Sequence, residues 1–357
     1  MRKQFKIAYT IGLMLIIQGA LLAQNTPYLA STDFNESMRG NERFRVAFYN
    51  VENLFDYFDD SLTLDDAFLP RGENHWTKAR YELKQQHIAK TIAAMGGWEA
   101  PELIGLCEVE NRFVLTTLTQ FTLLKPIGYE IVHQESPDRR GIDVAALYRP
   151  DKFELLDYFY YPLRFPSDST SRSRDILHLI GRLPNQDTLH FFVNHWPSKF
   201  GGEFETQPKR MFAAHFLRLK ADSIMARNSK ANIIITGDFN DEPYEESMTT
   251  GLNLQTDIEL LQANDLYNLM YPIRYLTGTH SFENEWGVLD QFIVNGRLMD
   301  PTHSTHIFRQ TAQIFDMPFL IMEGATGATR PFRTYQGPKY IGGYSDHLPI
   351  LMDLVLR

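Results

Sequence analysis

Residues 233–243 read IIITGDFNDEP, an uninterrupted apolar run that ends in acidic and amide side chains. An apolar run without polar alternation is typical of a strand that is buried on both faces. Asp238 and Asn240 follow the run and share one face of an extended segment. A strand inside a core gains nothing from a terminal carboxylate, so the pattern indicates a pocket at a sheet end. The alternative is an Asx turn that closes the strand.

Polar residues follow apolar runs in the same way at other places along the chain. These stretches are residues 49–56 (YNVENLFD), 106–111 (LCEVEN), 193–199 (VNHWPSK) and 343–349 (GYSDHLP). A further carboxylate, Asp290, begins an otherwise apolar strand. We expect the strand ends to deliver these side chains to one shared pocket.

Short apolar runs alternate with helical patterns from Arg43 onward, which predicts a single α/β domain over residues 43–357. Helices are predicted at residues 77–95 and 208–226, the first with Thr77 as its N-cap and Gly96-Gly97 as its stop. Residues 300–342 are rich in Gly, Pro, Thr and Arg, and loops of that length in compact domains are usually functional.

The first residues have the order of a signal peptide: basic residues, an apolar run and a small residue at the cut. We predict that residues 1–23 are removed, that residues 24–42 form a polar tail, and that the protein is exported to the periplasm or the exterior. The alternative is an uncleaved membrane anchor. No later stretch has 18 uninterrupted apolar residues, so no stable membrane partner is expected after cleavage.

Charge and cysteine content limit the function classes. Residues 1–23 hold three basic residues and no acid, so the remainder has 32 Lys and Arg against 44 Asp and Glu, a net charge of −12. This charge argues against a tight, non-specific binder of polyanions, but not against an enzyme whose bound cation dominates its site. The one cysteine, Cys107, lies in an apolar run and is predicted to be a buried core residue.

Taken together and in order, these blocks resemble the endonuclease/exonuclease/phosphatase superfamily, which includes DNase I, exonuclease III, sphingomyelinases and inositol polyphosphate 5-phosphatases. GDFN and SDHLP are the most specific blocks, and YNVENLFD, CEVEN, NHWPSK and WGVLDQ support them. The resemblance covers nearly all of residues 43–357. It implies a four-layer α/β/β/α sandwich, in which two mixed sheets pack face to face with helices outside and the active site lies at one end.

The resemblance also implies a divalent metal site. Glu108 is the leading metal ligand, and Glu52, Asp346 and Asn50 complete or border the site. The expected ion is Mg²⁺, or alternatively Mn²⁺ or Ca²⁺, because a hard cation prefers oxygen ligands. Glu110 is the nearest competitor, since strand alternation places it on the same face as Glu108. The resemblance favours Glu108.

Catalytic roles follow from the same resemblance. Asp238 is similar to the family's water-activating base, and Asn240 to the group that orients the phosphate or the nucleophile. His347 is expected at the scissile phosphate, where Asp290 holds it and raises its pKa. His195 is expected near the leaving oxygen. Our own hypothesis pairs His195 with Asp143.

Several side chains are candidate contacts to the substrate. They are Asn50, Lys199, Arg174, Arg210 and Arg333. The alternative for each basic residue is an ordinary surface charge.

The predicted function is an exported, metal-dependent phosphodiesterase that hydrolyses DNA or RNA. The alternatives within the family are a phosphatase and a phospholipid phosphodiesterase that resembles the sphingomyelinases or acts on inositol phosphates. The alternative outside it, a non-catalytic binding module, predicts loss of Glu108, Asp238 or His347, and all of these are present. The expected partner is nucleic acid or another phosphodiester substrate, bound by a monomer.

Overall fold

The computed structural model describes residues 42–166, 168, 170–256, 261–310, 312–324 and 327–357. The predicted signal peptide at residues 1–23 lies outside this part, as does the predicted polar tail at residues 24–42 apart from Glu42. Within the described ranges, no helix has the length and apolar character needed to span a membrane.

Strands make up most of the structure. In chain order they are β1 (Arg43–Leu54), β2 (Leu103–Val109), β3 (Glu130–His133), β4 (Asp143–Tyr148), β5 (Glu154–Tyr161), β6 (Ile176–Arg182), β7 (Thr188–His195), β8 (Asn232–Asp238), β9 (Leu254–Gln255), β10 (Leu266–Asn268), β11 (His280–Phe282), β12 (Glu285–Gly287), β13 (Asp290–Asn295), β14 (Thr305–Ile307), β15 (Gln313–Ile314), β16 (Ile321–Glu323), β17 (Thr329–Pro331), β18 (Tyr335–Gln336), β19 (Lys339–Tyr340) and β20 (Ile350–Leu356). The α-helices are α1 (Lys78–Gly96), α2 (Arg112–Gln120), α3 (Glu203–Arg227) and the single turn α4 (Gly296–Met299).

Two large mixed sheets organise these strands. The first has the order β14-β20-β1-β2-β4-β3, and β15 also pairs with β20. The second has the order β5-β6-β7-β8-β13-β10-β9. β1 and β2 run parallel, as do β7 and β8, whereas β20 and β13 join their sheets antiparallel. β11–β12, β16–β17 and β18–β19 form separate two-stranded hairpins.

Side-chain alternation in β8 shows how the layers stack. Ile234 belongs to the core between the two sheets, whereas Ile233 and Ile235 pack with apolar residues of α3 on the other face. Apolar residues of α1 and α2 join the core on the first sheet. Each fully buried isoleucine contributes about 1.5–3 kcal/mol through the hydrophobic effect. The layers therefore run helices, sheet, sheet, helix, and the predicted α/β/β/α sandwich is confirmed.

The predicted helix boundaries were partly right. Thr77 caps α1 by accepting a hydrogen bond from the Arg80 backbone N–H, and Gly97 ends it with a φ of 65°. Helix α3 was predicted to begin at Pro208 but begins at Glu203. Acidic residues in the first turn favour a helix start there, and a proline near the N-terminal end of a helix is tolerated.

Residues 300–342 were predicted to be a long loop. Among the described residues of this stretch, the structure instead contains β14 to β19 and two short 3₁₀ turns. β14 and β15 pair with β20, whereas β16–β17 and β18–β19 form hairpins. Phe332 lies between the two hairpins, and its backbone carbonyl accepts a hydrogen bond from the backbone N–H of Tyr344, just before β20. The stretch is therefore built of short paired strands that form one wall near residues 343–347.

Candidate active site

Strand register brings the key polar residues together at one end of the sandwich. On parallel β7 and β8, His195 is the direct neighbour of Asp238. On antiparallel β8 and β13, Asp290 is the neighbour of Asp238 on its other side. The isolated bridge between His280 and His347 then holds the segment before β20 against the start of β11. The predicted convergence of strand ends is present.

Unusual backbone conformations turn several of these side chains out of their strands. Glu52, Asn53, Glu108 and Asn240 all have φ between 47° and 61°. Such a left-handed conformation costs a non-glycine residue about 1–3 kcal/mol and persists only where the surrounding structure holds it. The pairing register of β1 and of β2 shifts at the same points, as in a β-bulge. Four of the ten non-glycine residues with positive φ in the described part of the chain therefore lie at the end of the sandwich that carries the polar cluster.

The bulge in β2 separates Glu108 from Glu110. Glu108 Oε2 accepts a hydrogen bond from the Asn53 backbone N–H at 2.8 Å, and Oε1 lies 3.4 Å from the Asn50 side-chain amide. Glu110 instead accepts from the Asp56 backbone N–H at 2.6 Å, and burial raises its pKa to about 8. The expectation that both glutamates share one face is wrong, because Glu108 interrupts the alternation. Glu108 is the one that joins the cluster.

The centre of the cluster is formed by His347 and two aspartates. Nδ1 of His347 lies 2.6 Å from Asp290 Oδ2, and Nε2 lies 3.7 Å from Asp238 Oδ2. Burial lowers the pKa of His347, but the charges of Asp290 and Asp238 more than offset burial and raise it well above its usual value. The predicted Asp290–His347 pair is present, and the imidazole is positively charged at neutral pH.

Asp238 is buried and accepts hydrogen bonds on both oxygens. Asn240 donates its backbone N–H at 2.9 Å, and Asn50 donates its side-chain amide at 3.0 Å. Burial raises the pKa of Asp238 to about 7; the charge of His347 lowers it, and that of Asp290 raises it. A carboxylate with a pKa near neutrality is suited to general-base catalysis. The side chain of Asn240 donates to the Trp196 carbonyl at 3.0 Å and is thereby fixed beside Asp238.

His195 approaches the same carboxylate from the other side. Its Nε2 lies 3.7 Å from Asp238 Oδ2 and 3.8 Å from Glu108 Oε1. Its Nδ1 is buried and has no hydrogen-bond partner among the described residues. Burial, reinforced by the positive charge of Arg174, lowers the pKa of His195 well below its usual value. This imidazole is therefore neutral at physiological pH.

The pairing of Asp143 with His195 is wrong. Oδ2 of Asp143 lies 3.2 Å from His133 Nε2, and Oδ1 accepts the Ser136 backbone N–H at 2.8 Å. Asp143 begins β4, where its nearest partners come from β3 and the connection that follows β3. Asp143 therefore binds His133 and the backbone of Ser136 at the sheet edge, and not His195 as we expected.

Glu52 and Asp346 lie on the side of the cluster that faces α1. The Thr334 backbone N–H donates to Glu52 at 2.7 Å, and Lys84 Nζ lies 3.5 Å away. Arg333 lies 3.5 Å from Glu52 and 3.0 Å from Asp346. Burial and the charge of Asp346 raise the pKa of Glu52. The pKa of Asp346 is lowered, because the charges of His347 and Arg333 more than offset its burial.

Lys84 and His280 lie next to the cluster but were not predicted as site residues. Lys84 is a buried lysine on α1 and also donates to the Thr334 hydroxyl at 2.7 Å. It lies at helical spacing between Tyr81 and Ile88 on the buried side of α1, and a lysine in that position is the signal that was available. The His280 ring lies 4.7 Å from the His347 ring, and burial lowers the pKa of His280 to about 4.

Only some of the basic residues predicted to contact the substrate are accessible to solvent. Arg210 is completely buried and its Nε lies 2.7 Å from Asp241 Oδ1, so its prediction as a substrate contact is wrong. Lys199 binds Glu245 at 2.6 Å and therefore has a local structural partner. The prediction for Lys199 stays a prediction, whereas the packing that buries Arg210 is not encoded in the local sequence.

The other two basic residues predicted to contact the substrate are Arg174 and Arg333. Arg174 is buried and donates to the Trp196 carbonyl at 2.6 Å, the same carbonyl that binds Asn240. Arg333 is the more accessible of the two, with about 38% of its side chain exposed. Asn50 lies at the centre of the cluster, and its side-chain amide donates to Asp238.

The donor set fits a divalent cation. The side chains of Glu108 and Asp346 are 14% and 20% exposed, so they are the carboxylates of this cluster that an ion from solvent reaches first. Asp290 Oδ1 is buried without a hydrogen-bond partner in the described part of the chain. Carboxylate oxygens of Asp238 and Asp290 lie within 4.8 Å of each other. Buried acidic oxygens in this density are suited to a hard cation.

Known proteins resemble this chain in sequence pattern and in fold. A model of the Endonuclease/Exonuclease/phosphatase family matches residues 45–355. No curated protein matches the sequence. The mannosyl-6-phosphatase of Bacteroides thetaiotaomicron is 17% identical with a TM-score of 0.55, and the match covers 88% of this chain and 100% of that one.

Two further solved structures match over the same share of this chain, 88%. The human Nocturnin catalytic domain is 15% identical, covered to 95%, with a TM-score of 0.54. D. rerio TDP2 complexed with single strand DNA product is 12% identical, covered to 99%, with a TM-score of 0.51. At these identities the structures show the shared fold, a DNase I-like sandwich.

Proposed function

The chain belongs to the endonuclease/exonuclease/phosphatase family, and from that premise we propose that it is a phosphoric ester hydrolase that depends on a divalent cation. The sequence-based identification of the family is confirmed. The observation that best supports the activity is the arrangement around Asp238, whose pKa is about 7 and which faces the charged imidazole of His347. One group accepts a proton and the other stabilises negative charge, and phosphate ester hydrolysis requires both.

The residues that would hold the cation are Glu108 and Asp346, with Asn50 beside them. A bound divalent ion supplies neutralisation of charge on the phosphoryl oxygens. We assign Glu52, which was predicted as a ligand, to positioning Arg333 and the backbone of Thr334. The positive charge of His347 makes it a poor ligand but a good donor to a phosphoryl oxygen.

The reaction we propose is in-line attack of water on phosphorus. Asp238 accepts the proton of the water as the new oxygen–phosphorus bond forms and the bond to the leaving oxygen breaks. Asn240 keeps its predicted role of orienting the phosphate or the nucleophile, since the contact to Trp196 fixes its side chain. His195 keeps its predicted place near the leaving oxygen, now as a neutral imidazole.

The first candidate substrate is a phosphodiester in DNA or RNA. The motifs NHWPSK, WGVLDQ and GGYSDHLP resemble secreted bacterial members of the family with nuclease activity. Among the structures of similar fold, TDP2 is bound to a single strand DNA product. The net charge is −12 after removal of residues 1–23, and Lys199 is paired with Glu245. Both features favour a short contact with the nucleic-acid strand over an extended basic groove.

The second candidate is a phosphomonoester of a small molecule, and one cavity favours it. The cavity has a volume of about 190 Å³ and reaches Asp346, with Arg330 and Arg333 in its wall. The end of β11 and the turn that follows it supply another part of its lining. A small cavity with two guanidinium groups suits a compact anionic substrate. One protein of similar fold is a mannosyl-6-phosphatase, which supports this second candidate.

A substrate panel tests the proposal. Purified protein from Gln24 onward is incubated with plasmid DNA, RNA, sphingomyelin, inositol phosphates, mannose 6-phosphate and bis(p-nitrophenyl) phosphate. We expect hydrolysis of at least one with Mg²⁺ or Mn²⁺, and none with EDTA or in Asp238→Asn. Nuclease activity alone supports the first candidate, and release of phosphate from the monoesters alone supports the second. If no substrate is cleaved in any metal, the enzyme proposal is wrong.

We also propose that the protein is exported as a monomer after removal of residues 1–23. The basic start and apolar run of that segment support export. The test is expression of the full chain, followed by mass spectrometry of the exported protein and its sedimentation in solution. An exported monomer that begins at Gln24 is expected. Retention of the protein in the membrane with Met1 still attached would favour the anchor alternative.

A further inference from the structure

A second group of metal-binding side chains lies away from the Asp238 cluster. His133 ends β3, Asp143 begins β4, and Glu135 lies in the connection between them. One ligand atom from each of the three lies within 4.8 Å of the others. His133 Nε2 is 3.2 Å from Asp143 Oδ2, and all three side chains point to the same space. None of the three touches Asp238, Asp290 or His347 in the contacts described above.

A fourth carboxylate, that of Asp175, lies near this group, and the charge of Asp143 acts on it. Asp175 is 6% exposed, and its Oδ1 is buried with no hydrogen-bond partner among the described residues. Burial raises its pKa to about 6, and the nearby charge of Asp143 is the next cause. The hydroxyl of Tyr160 is also buried without a partner there, and the charges of Asp143 and Asp175 act on it as well. The charge of Arg164 lowers the pKa of Asp175 but does not offset its burial. A buried carboxylate oxygen that lacks a hydrogen-bond donor is costly unless a cation neutralises it.

The group is accessible from solvent. A surface cavity of about 590 Å³ lies over the connection between β3 and β4. Glu135, Ser136 and Asp138 line it on one side, and Asp60 lines it on another. A hydrated cation can therefore reach Glu135 first and exchange its waters for the buried oxygens behind it.

We propose that His133, Glu135 and Asp143, with the buried carboxylate of Asp175 nearby, form a second divalent cation site, separate from the catalytic cluster. One imidazole nitrogen with several carboxylate oxygens suits a transition-metal ion such as Mn²⁺ or Zn²⁺ better than Mg²⁺ or Ca²⁺.

The position of the residues gives the site a structural role. His133 and Asp143 belong to the first sheet, whereas Asp175 directly precedes β6 of the second sheet. Arg174, next to Asp175, donates to the Trp196 carbonyl that holds Asn240. A cation bound by this group would lie between the two sheets, near the side of the active site that holds His195, and would stabilise their packing. This inference goes beyond the proposed function and does not depend on it.

Metal titration of full-length mature protein tests the proposal. Metal-free protein is titrated with Mn²⁺, and bound ion is counted by electron paramagnetic resonance. We expect Glu135→Gln and His133→Gln each to lose one equivalent of bound Mn²⁺ or to bind it at least about ten-fold more weakly. Glu82→Gln is the matched control, because Glu82 is 59% exposed on α1 and pairs only with Lys78 in the contacts shown. It should bind the same number of ions as wild type.

Two further measurements separate this site from the catalytic one. Asp346→Asn should retain the equivalent that Glu135→Gln loses. Saturating Zn²⁺ at about 100 times its Kd should raise the thermal midpoint of wild type roughly 5 °C more than that of Glu135→Gln. Equal stoichiometry and affinity in wild type, Glu135→Gln and His133→Gln would overturn the proposal. So would the absence of any Mn²⁺ or Zn²⁺ binding that survives Asp346→Asn.

Discussion

His195 and His347 approach Asp238 Oδ2 from two sides of the cleft at the same distance, 3.7 Å, yet their charges differ. On the His347 side, formed by β13 and the segment before β20, Nδ1 binds Asp290 and the pKa is raised. On the His195 side, at the end of β7, Nδ1 has no partner among the described residues and the pKa is lowered. The surroundings of each ring, not its distance to Asp238, decide its charge: burial and Arg174 lower the pKa of His195, whereas Asp290 and Asp238 offset burial at His347.

The comparison shows how one cleft holds two imidazoles for different tasks. In the reaction that we propose, the charged ring of His347 would stabilise negative charge on the phosphate, whereas the neutral ring of His195 would act as a hydrogen-bond partner near the leaving oxygen. Asp238 is common to both sides. Substitutions that act on both sides, on one side or on neither therefore test the comparison directly.

The largest effect is expected from Asp238→Asn, because it removes the carboxylate that both histidines face. We expect kcat to fall about 1,000-fold or more, since the base is lost and both contacts change. The thermal midpoint should remain almost unchanged, because the amide keeps the size of the side chain and relieves a buried charge. Steady-state kinetics and thermal unfolding measure the two quantities.

Asp241→Asn is the matched control for that substitution. Asp241 lies three residues further along and pairs with the buried Arg210 rather than with the cluster. Loss of its charge leaves Arg210 buried without its partner and should lower the thermal midpoint, with kcat per folded molecule near wild type. If Asp238→Asn unfolds the protein as Asp241→Asn does, Asp238 has a structural role.

A somewhat smaller effect is expected from Asp290→Asn, which acts on the His347 side alone. The pKa of His347 should fall towards its ordinary value, because the first of the charges that raise it is gone. We expect kcat to fall about 100-fold or more. NMR titration of the imidazole signals and kinetics between pH 5 and 9 measure both. An unchanged pKa of His347 would show that Asp238 alone holds its charge.

His195→Gln should have a smaller effect on activity, about 10- to 100-fold in kcat, because a neutral ring contributes less than a charged donor. The pH dependence governed by His347 should be unaltered. His347→Gln serves as the comparison variant and should cost more. Equal losses of kcat in the two variants would contradict the proposal that the two histidines have different roles.

The smallest effect is expected on stability, and its sign differs between the sides. The raised pKa of His347 stabilises the fold below the unfolded value near 6.5, and this contribution is lost as pH rises through the folded value. The lowered pKa of His195 has the opposite consequence, since stability present above pH 6.5 is lost as pH falls. Urea unfolding at pH 5, 7 and 9 measures both.

Relative to wild type, Asp290→Asn should therefore lose most stability at pH 5 to 7 and less as pH rises. His195→Gln should lose less at pH 5 than at pH 7, because it lacks the imidazole that the unfolded chain protonates. Parallel pH curves for the three proteins would show that neither histidine carries a shifted pKa.

The sequence predicted the fold and the cluster because their signals are local. Apolar runs identified β2, β7, β8 and β13, and the residues directly after or before them carried the chemistry. The resemblance then selected Asp290 for His347, which spacing alone does not connect. Strands β3, β5 and β6 were not singled out, since they lack a motif.

What could not be predicted depends on contacts distant in sequence. The left-handed φ of Glu108 arises from the bulge in β2 and defeats simple alternation. The burial of Arg210 and the choice of His133 by Asp143 depend on packing that sequence spacing does not encode. These errors concern which way a side chain faces, whereas the positions of the motifs along the strands were predicted correctly.

The place of β20 in the first sheet has a consequence for the timing of synthesis. The last strand of the chain lies between β14 and the first strand, and Phe48 near the start pairs with Ile350 near the end. A ribosome therefore releases β1 long before β20 exists, and the first sheet stays incomplete until β20 has been synthesised. Because His347 lies just before β20, which begins at Ile350, a nascent chain that stops short of this strand also lacks the complete cluster around Asp238. Segments from both ends of the described chain must therefore meet before the cluster can form.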